Sequence, residues 1–436
     1  MSKKQYAQIS QVLQTVLEKE SEGAGRETAF VQRQSKVSAA RFVQMMVLGT
    51  LQRADASLTD LVEMGEELGV QVSASGLNQR IDDEAVALLK RVLQATLRHA
   101  QAEAMDGELL KAFAEVQIED SSYIRLPPGL AQEFRGSGGN ASAACAKLYL
   151  SYEYRSGTIQ TLELYEACTA DQSTPLPSPS QAQPALRLFD LGFFKQTRLA
   201  QLVAQGDCFI CRHYFQTALY TPQGKRLDLE AFLASADDEV ELPVLLGAAA
   251  RLPVRLLCQR VPPAVIAQRH LRIQAEAKRM RRPLSAQKMR LAAWNLFCTN
   301  VPTTLWSLRQ VLAVYRLRWQ VELLFKHWKS DLGLERLGNW RRARTLAQLY
   351  ARLIALVLWH FLLAPLRFTS SGELSWPKAL AIFQRKLPCI AAAIAAGWRS
   401  LPALLHAFFR RCQRLALKDK RCSRPSTYQH LATLGL

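Results

Sequence analysis

The sequence predicts a mixed α/β core between two helical regions, on the basis of three observations. Residues 1–108 carry apolar side chains at helical spacing. Between residues 114 and 214, alternating and apolar strand-like runs are separated by short turns and one helical segment, which is typical of a mixed sheet. Residues 341–436 return to helical spacing. The predicted division is therefore a helical N-terminal domain over 1–108, an α/β domain over 109–340 and a basic helical C-terminal region over 341–436.

The N-terminal domain is predicted to contain helices near 4–20, 36–54, 57–69 and 82–104. Within it, the stretch SASGLNQRIDDEAVALLKRVL places serines before an amphipathic run, which favours a helix start. This run could be the second half of a helix-turn-helix, with Asn78, Gln79 and Arg80 near the tip of a helix that reads DNA. A plain helical bundle is the alternative, and the sequence leaves both open.

The predicted core sheet is built from strand-like runs separated by turn signals. Its elements are a strand over 114–120, a hairpin over 146–167, a strand over 186–194, a helix near 195–204 and a strand over 208–214. Ser156-Gly157 marks the hairpin turn. The first strand ends at Asp120, and the strand within LRLFDLGFF ends at Asp190.

A segment over about 215–300 looks inserted into the α/β domain, because its strand-like runs are short and a strongly basic helix interrupts them. In that helix, over 264–282, the only acid is Glu276, and the cations are Arg269, Arg272, Lys278, Arg279, Arg281 and Arg282. A charge run is usually a solvated face, but beside a cleft for a DNA end we expect it to contact phosphates. Strand character resumes in AAWNLFCTN, which contains Trp294, and a helix over about 306–330 follows.

The net charge of +19 favours a polyanion or an anionic membrane surface as the partner. A membrane span is not expected: the best apolar run, 353–366, is too short, contains His360 and is predicted to be a core helix. The N-terminal residues lack the apolar stretch of a signal peptide. Nucleic acid is therefore the expected partner. Nine scattered cysteines, with one close pair at Cys208 and Cys211, fit a reducing cytoplasm.

The C-terminal tail is a further cluster of cations, which could bind DNA or help to pair two protomers. Its members are Arg410, Arg411, Arg414, Lys418, Lys420, Arg421 and Arg424.

Three acids occupy positions that suggest a metal site. Asp120 and Asp190 end predicted strands, and Glu322 lies on the helix over 306–330. Carboxylates that converge where strands open into a cleft repel one another unless cations intervene, and two Mg²⁺ ions with water ligands would satisfy them. Such a pair of ions suits the cleavage of a phosphodiester. Taken singly, each acid could instead cap a turn or take part in a weak helix contact.

The stretch YRLRWQVELLFKHWK (315–329) combines an apolar face with an unusual polar stripe. Tyr315, Arg318, Glu322 and Lys329 stand near whole turns of one helix. The stripe could be one wall of a site that handles a metal and a phosphate, with its cations as phosphate clamps. It could also be a solvated face, in which Glu322 pairs with Lys326 at i,i+4.

The joint pattern resembles the DDE transposases of insertion-sequence family four. The spacing Y-x2-R-x3-E-x6-K of the quoted stretch matches that family's Tyr-Arg-Glu-Lys signature, DLGFF at Asp190 is similar to its second acidic motif, and IEDSS at Asp120 is similar to its first. The order of the acids, with a long insertion before Glu322, also agrees. The resemblance implies an RNase H-like catalytic core with a β-rich insertion, flanked by the helical N-terminal domain and the helical C-terminal region.

The resemblance also implies a role for individual residues. Asp120, Asp190 and Glu322 would be the catalytic residues and would hold two Mg²⁺ ions, which Mn²⁺ could replace. The residues expected to contact DNA are Tyr315, Arg318, Lys326, Lys329 and Arg212. Relatives that cut DNA through a hairpin have a Trp at the position of Trp294 that stacks on a flipped base. The resemblance implies the same role for Trp294, because an indole face can replace the lost neighbouring bases. A core Trp on a strand is the alternative for Trp294.

The expected function is that of a DNA transposase that moves its own insertion sequence by cut and paste, through a hairpin end. Its partners would be the terminal inverted repeats, the target DNA and a second copy of the chain, with no membrane partner, in the bacterial cytoplasm near the nucleoid. A nuclease of the same fold and an inactive, domesticated DNA-binding relative are the alternatives. A helical RNA-binding scaffold has only the charge in its favour.

Overall fold

The computed structural model describes residues 3–32, 36–103, 108–137, 142–176, 183–338, 341–367 and 373–419. They divide into two compact units. Unit 1 comprises the described residues within 1–105, 121–169 and 320–428, and unit 2 comprises those within 106–120 and 170–319. The tail residues Lys420, Arg421 and Arg424 lie outside the described residues. The division into three domains stays a prediction.

The N-terminal elements are α1 (Lys3–Gln14), a π-helical segment (Thr15–Glu20), α2 (Ser21–Glu27), α3 (Ala39–Gln52), α4 (Leu58–Glu67), α5 (Ala74–Arg80) and α6 (Asp83–His99). The middle of the chain contains β1 (Val116–Leu126), β2 (Ala144–Glu153), β3 (Thr158–Glu166), β4 (Leu186–Phe189), α7 (Gln196–Ala204), β5 (Cys208–Arg212), β6 (Leu219–Tyr220), α8 (Leu229–Ala234), β7 (Glu239–Leu246), β8 (Leu252–Arg260), α9 (Pro263–Arg279), α10 (Ala286–Leu291) and β9 (Trp294–Thr299). The C-terminal elements are α11 (Leu308–Tyr315), α12 (Trp319–Ser330), α13 (Arg342–Leu363), α14 (Trp376–Gln384), α15 (Leu387–Ala395) and α16 (Leu401–Leu415).

The amphipathic run that starts after Ser73 is two helices. Ser73 caps α5, as its hydroxyl accepts a hydrogen bond from Gly76 N at 3.1 Å. Asp82 then caps α6 by accepting from Ala85 N at 2.9 Å, which starts a new helix inside the run. The guanidinium of Arg80 lies 4.1 Å from the centre of the Phe30 ring, so this cation packs against its own domain.

The predicted hairpin is confirmed, with β2 and β3 antiparallel in unit 1. Gly157 has a φ of +75°, and a Cβ at this position would lie 2.7 Å from Cδ of Arg367. Both constraints require glycine at the turn. The strand order in unit 1 is β3-β2-β1, where β1 contributes its residues after Asp120.

In unit 2 the strand order is β1-β4-β5-β9-β8-β7-β6. β1, β4 and β5 are parallel, whereas β9 runs antiparallel to β5 and the remaining strands follow in antiparallel order. The short strands predicted within 215–300 thus extend this same sheet, because β8 pairs with β9 over the whole length of β9.

A network of charges is buried among the strands of unit 2. Arg187 Nη2 lies 2.9 Å from Asp207 Oδ2, and Arg198 Nη2 lies 2.5 Å from Glu119 Oε2. All four side chains are at most 3% exposed. Buried charges require such partners, so this network fixes the end of β1 that carries Asp120.

The helix predicted over about 306–330 is interrupted. A 3₁₀ turn at Arg316–Arg318 separates α11 from α12. The prediction that Tyr315, Arg318, Glu322 and Lys329 form a stripe on one continuous α-helix was therefore wrong. A 3₁₀ turn has three residues per turn, so it rotates the side chains after it relative to those before it. Tyr315 ends α11, and Glu322 and Lys329 lie on α12.

The apolar run 353–366 lies in α13 and the 3₁₀ turn Ala364–Leu366 that follows it, as predicted for a core helix, but the helical segment that contains the run is longer than the run itself. The helical segment begins at Arg342 and ends at Leu366, giving 25 residues with a mean hydropathy of 1.8. Among the described residues it is the one segment that is long and apolar enough to cross a membrane, and 89% of its apolar window is buried inside the protein.

Candidate active site

Asp120 and Asp190 lie side by side in the sheet of unit 2. Glu119 on β1 is the register partner of Phe189 on β4, and the two strands are parallel. Asp120 within β1 and Asp190 just after β4 are the next residues, so they stand at the same level of the sheet, where strands are about 4.8 Å apart. The prediction that both acids end strands is met for Asp190, whereas β1 continues past Asp120 to Leu126.

A cation faces each of these acids. Arg318 Nη1 lies 3.1 Å from Asp120 Oδ2, with the two side chains 8% and 18% exposed. Arg212 Nε lies 3.5 Å from Asp190 Oδ1, and both side chains are about half exposed. Arg212 is placed there by the register of β4 with β5, in which Phe189 is opposite Cys211. The cations thus reduce the repulsion between the two carboxylates.

The carboxylate of Asp190 has one oxygen without a hydrogen-bond partner among the described residues. Its Oδ1 is buried and accepts no hydrogen bond from the described residues, although Arg212 Nε lies 3.5 Å away as an ion-pair partner. Carboxylate oxygens are the ligands that Mg²⁺ prefers, so the donor chemistry fits that ion. Within the described ranges, however, no three His, Cys, Asp or Glu side chains are grouped closely enough to hold a metal.

Tyr315 reaches the same strand end from α11. Its hydroxyl donates to Phe189 O at 3.3 Å, one residue before Asp190, and its ring packs edge-on against Phe297 at 4.7 Å. Burial raises the pKa of Tyr315, and the nearby charge of Asp190 raises it further. The phenol is therefore a neutral hydrogen-bond donor.

Trp294 lines a cavity of about 310 Å³ in unit 2, together with Leu191, Arg212, Arg269 and Lys288. Trp294 is only 7% exposed, and the Arg260 guanidinium lies 4.7 Å from its ring. A cation above the indole face is favourable. The cavity thus combines an aromatic wall with several positive charges, beside the residue that follows Asp190.

His213 is a candidate that sequence reasoning missed. It lines the same cavity, is 5% exposed, and neither ring nitrogen has a hydrogen-bond partner among the described residues. Burial lowers the pKa of His213 to about 4, so the imidazole is neutral near pH 7. Its position next to Arg212 in the sequence was visible, but nothing in the sequence signals its burial.

The basic helix α9 has no buried residue, as expected for an exposed charged helix. Arg269 differs from the others, because its Nη1 donates to Trp294 O and Ala292 O, each at 3.1 Å. Burial lowers the pKa of Arg269, and the charges of Arg212 and Arg272 lower it further. Crowded cations of this kind favour an anion nearby.

The other predicted residues belong to unit 1, on α12. Glu322 is half-buried and Lys326 is exposed. Lys329 Nζ donates to Tyr123 O at 2.6 Å and lies 3.3 Å from Glu335 Oε1. The helix is fixed by Trp328, whose Nε1 donates to His360 Nε2 at 2.8 Å.

Comparison with known proteins gives related sequences along most of the chain. The family model "Transposase DDE domain" matches residues 111–358. The transposase for insertion sequence element IS231C of Bacillus thuringiensis subsp. berliner is 25% identical over 434 residues, covering 93% of this chain and 91% of that protein. The transposase for insertion sequence element IS1151 of Clostridium perfringens is 24% identical, covering 94% of this chain and 93% of that protein. A cryo-EM structure of a piggyBac transposase synaptic complex with hairpin DNA covers 97% of this chain and 87% of its own, with 10% identity and a TM-score of 0.47.

Proposed function

Because the chain belongs to the DDE transposases, we propose that it moves its own insertion sequence by cut and paste, with Asp120, Asp190 and Glu322 as the catalytic acids. One observation carries the proposal: Asp120 on β1 and Asp190 just after β4 stand at the same level of adjacent parallel strands, each facing an arginine. We further propose that the chain belongs to the group with the Tyr-Arg-Glu-Lys signature and has an RNase H-like core.

Asp120, Asp190 and Glu322 are the residues that would hold two Mg²⁺ ions, and the buried Oδ1 of Asp190 is suited to this role. When bound, such ions supply Lewis-acid activation of the attacking oxygen and stabilisation of the leaving oxygen. The positive charges of Arg318 and Arg212 offset the repulsion between the two neighbouring carboxylates. If Asp120 or Asp190 gives up its ion pair to bind a metal ion, Arg318 or Arg212 would become available to bind a phosphate.

The proposed reaction begins when water attacks a phosphodiester at the element end, which breaks one P–O bond and frees a 3′-hydroxyl. This hydroxyl attacks the opposite strand, so that a hairpin forms on the transposon end and the flanking DNA leaves. A second water opens the hairpin, and the 3′-hydroxyl then attacks a target phosphodiester. Each step exchanges one P–O bond for another, so one pair of aspartates serves all steps.

The cavity beside Trp294 would hold the extruded base of the hairpin. Its volume, about 310 Å³, is at the lower end of the range for small-ligand pockets. Trp294 is 7% exposed and has Arg260 4.7 Å from its ring, so the indole would stack on the base only after it uncovers a face, whereas Arg212, Arg269 and Arg272 would provide phosphate contacts. His213 offers an unpaired ring nitrogen to a base edge, where its own desolvation would be compensated.

Tyr315, Arg318, Lys326 and Lys329 would contact phosphates near the cut. The Tyr315 hydroxyl is a donor held at the strand end, and Lys326 is exposed on α12. The basic helix α9 would follow the DNA backbone. Two copies of the chain would pair two transposon ends, in the bacterial cytoplasm near the nucleoid.

The proposal is tested by excision in cells of a marker flanked by the element's own ends. Wild type and Asp237→Asn, an exposed acid outside the site, should excise the marker. Asp120→Ala should abolish excision and retain binding to the ends. A wild-type protein that binds the ends without excision would be an inactive relative. Linear fragments without joined target would indicate a nuclease.

A further inference from the structure

A second cleft lies in unit 1, separate from the cavity of Trp294. It has a volume of about 590 Å³, and its lining includes Tyr123, Arg125, Ser137, Ser142 and Lys329. Tyr123 is 49% exposed, although the ring of a tyrosine is usually largely buried by neighbouring residues. An exposed ring beside cations and hydroxyl groups is an arrangement found where proteins bind single-stranded nucleic acid.

The ring of Tyr123 is held in place by its surroundings. Lys147 Nζ lies 5.3 Å from the ring centre, and Lys147 itself is buried and donates to Thr169 O. The backbone of Tyr123 is also fixed, since its carbonyl accepts from Lys329 Nζ at 2.6 Å. The ring is thus a platform positioned in advance of any ligand, which lowers the entropy cost of binding.

The charge of the cleft favours a polyanion. Arg125 and Lys329 line it, Lys147 lies behind the ring, and Glu335 is the carboxylate among the lining residues. Tyr123 and Arg125 alternate with buried Ile124 on β1, so their side chains share one face of the strand. An aromatic ring and a guanidinium are therefore spaced along one rigid element.

We infer that this cleft binds a DNA strand, with an unstacked base on Tyr123 and phosphates on Arg125 and Lys329. The inference rests on the proposed function, because the DNA is the substrate of that reaction.

The bound strand has the same chemistry whether it comes from the transposon end or from the target. Two assays with the purified full-length chain separate these sources. The first measures cutting of an uncut end duplex, and the second measures joining of a pre-cut end to a plasmid. Tyr123→Ala should reduce one of the two rates by roughly 5- to 100-fold, the range expected for one base stacked on an aromatic ring. Loss of cutting assigns the cleft to the transposon end, and loss of joining alone assigns it to the target.

Two further variants control the interpretation. Tyr123→Phe keeps the ring and should stay within about twofold of wild type. Tyr220→Ala removes a ring that also contacts a cation, Arg251 at 3.3 Å, and should leave both rates unchanged. Wild-type rates for Tyr123→Ala in both assays, or equal losses for Tyr123→Ala and Tyr123→Phe, would overturn the inference.

A binding measurement keeps the cleft testable apart from catalysis. Short oligothymidylate should bind wild type and Tyr123→Phe equally, and Tyr123→Ala several-fold more weakly. Equal affinity for all three proteins would overturn the inference. If wild type neither cuts nor joins DNA while this difference remains, the proposed function fails and the cleft stands as a DNA-binding site. Unchanged circular dichroism and melting temperature would show that Tyr123→Ala is folded, as expected because Lys329 contacts only the backbone of Tyr123.

Discussion

The buried charges next to Asp120 give a direct test of how the site is supported. The substitution Arg198→Met removes the guanidinium that contacts Glu119 Oε2 and donates to Thr174 O at 2.7 Å. Methionine keeps much of the side-chain volume but supplies no charge or donor. Because Glu119 is fully buried, water cannot take the place of the guanidinium.

The expected loss of stability follows from this burial. Removing one partner of a buried ion pair costs about 3–5 kcal/mol. Arg187 Nη1, 3.9 Å from Glu119 Oε1, remains as a second cation near the desolvated carboxylate. With a urea dependence of about 1–3 kcal/mol per molar, the unfolding midpoint should fall by on the order of 1–5 M. Circular dichroism during urea titration at pH 7 measures this shift.

A surface ion pair serves as the matched control. Arg91 Nε lies 2.8 Å from Glu27 Oε2, and the two side chains are 47% and 58% exposed. Arg91→Gln should therefore cost less than about 1 kcal/mol. If Arg198→Met cost no more than this control, the buried network would not stabilise β1, and the support of Asp120 would have to come from elsewhere.

Three other predictions concern the site and its surroundings. Arg212→Gln should weaken binding to the transposon end and reduce the slope of log affinity against log salt by about 0.9 for each phosphate that the protein no longer neutralises; an unchanged slope would argue against a phosphate at Arg212. Trp294→Ala should reduce hairpin formation more than first-strand nicking, as measured on end duplexes, whereas equal loss at both steps would indicate a structural Trp. His213 should make the fold acid-sensitive, because its pKa in the folded protein is about 4, below the usual value of 6.5. Above pH 6.5 the residue is neutral in both the folded and the unfolded chain, and the free energy of unfolding falls as the pH drops from 6.5 to 4. The full loss is on the order of 3 kcal/mol, and His213→Phe should remove it, with melting temperatures across this pH range as the measurement.

Local patterns in the sequence predicted much of the fold. The hairpin around Ser156-Gly157 was predicted because alternation and a turn residue are short-range signals. The strand before Asp190 was predicted from its apolar run, and β4 ends one residue before the acid. A strand such as β7 was not singled out, because Pro243 and alternating charges weaken its strand signal.

Other features depend on contacts that no local pattern contains. Asp120 and Asp190 stand at the same height in the sheet because β1 and β4, which are far apart in the chain, pair in this register. The space around Gly192, two residues after Asp190, is likewise set by the fold, since a Cβ there would lie 2.6 Å from Asp171 Oδ2. The contact of Lys329 with Tyr123 likewise joins residues distant in sequence.

The 3₁₀ turn between α11 and α12 shows a different limit. Neither proline nor glycine occurs in YRLRWQVELLFKHWK, so helical spacing continues across the break. The turn brings Arg318 to Asp120, a tertiary contact that outweighs the local preference for α-helix. Spacing alone therefore predicted one continuous helix and missed the turn at Arg316–Arg318.

The proposed function depends on Asp120, Asp190 and Glu322 acting together as the acids of one metal-dependent reaction. The most direct test is cutting of the element's own end by purified protein in Mg²⁺, with Asp190→Asn, Glu322→Gln and the control Asp237→Asn. Both site variants should bind the end normally and cut it at least about 100-fold more slowly, since ligand loss removes several kcal/mol of transition-state stabilisation. Cutting at the wild-type rate by either site variant would contradict this shared role.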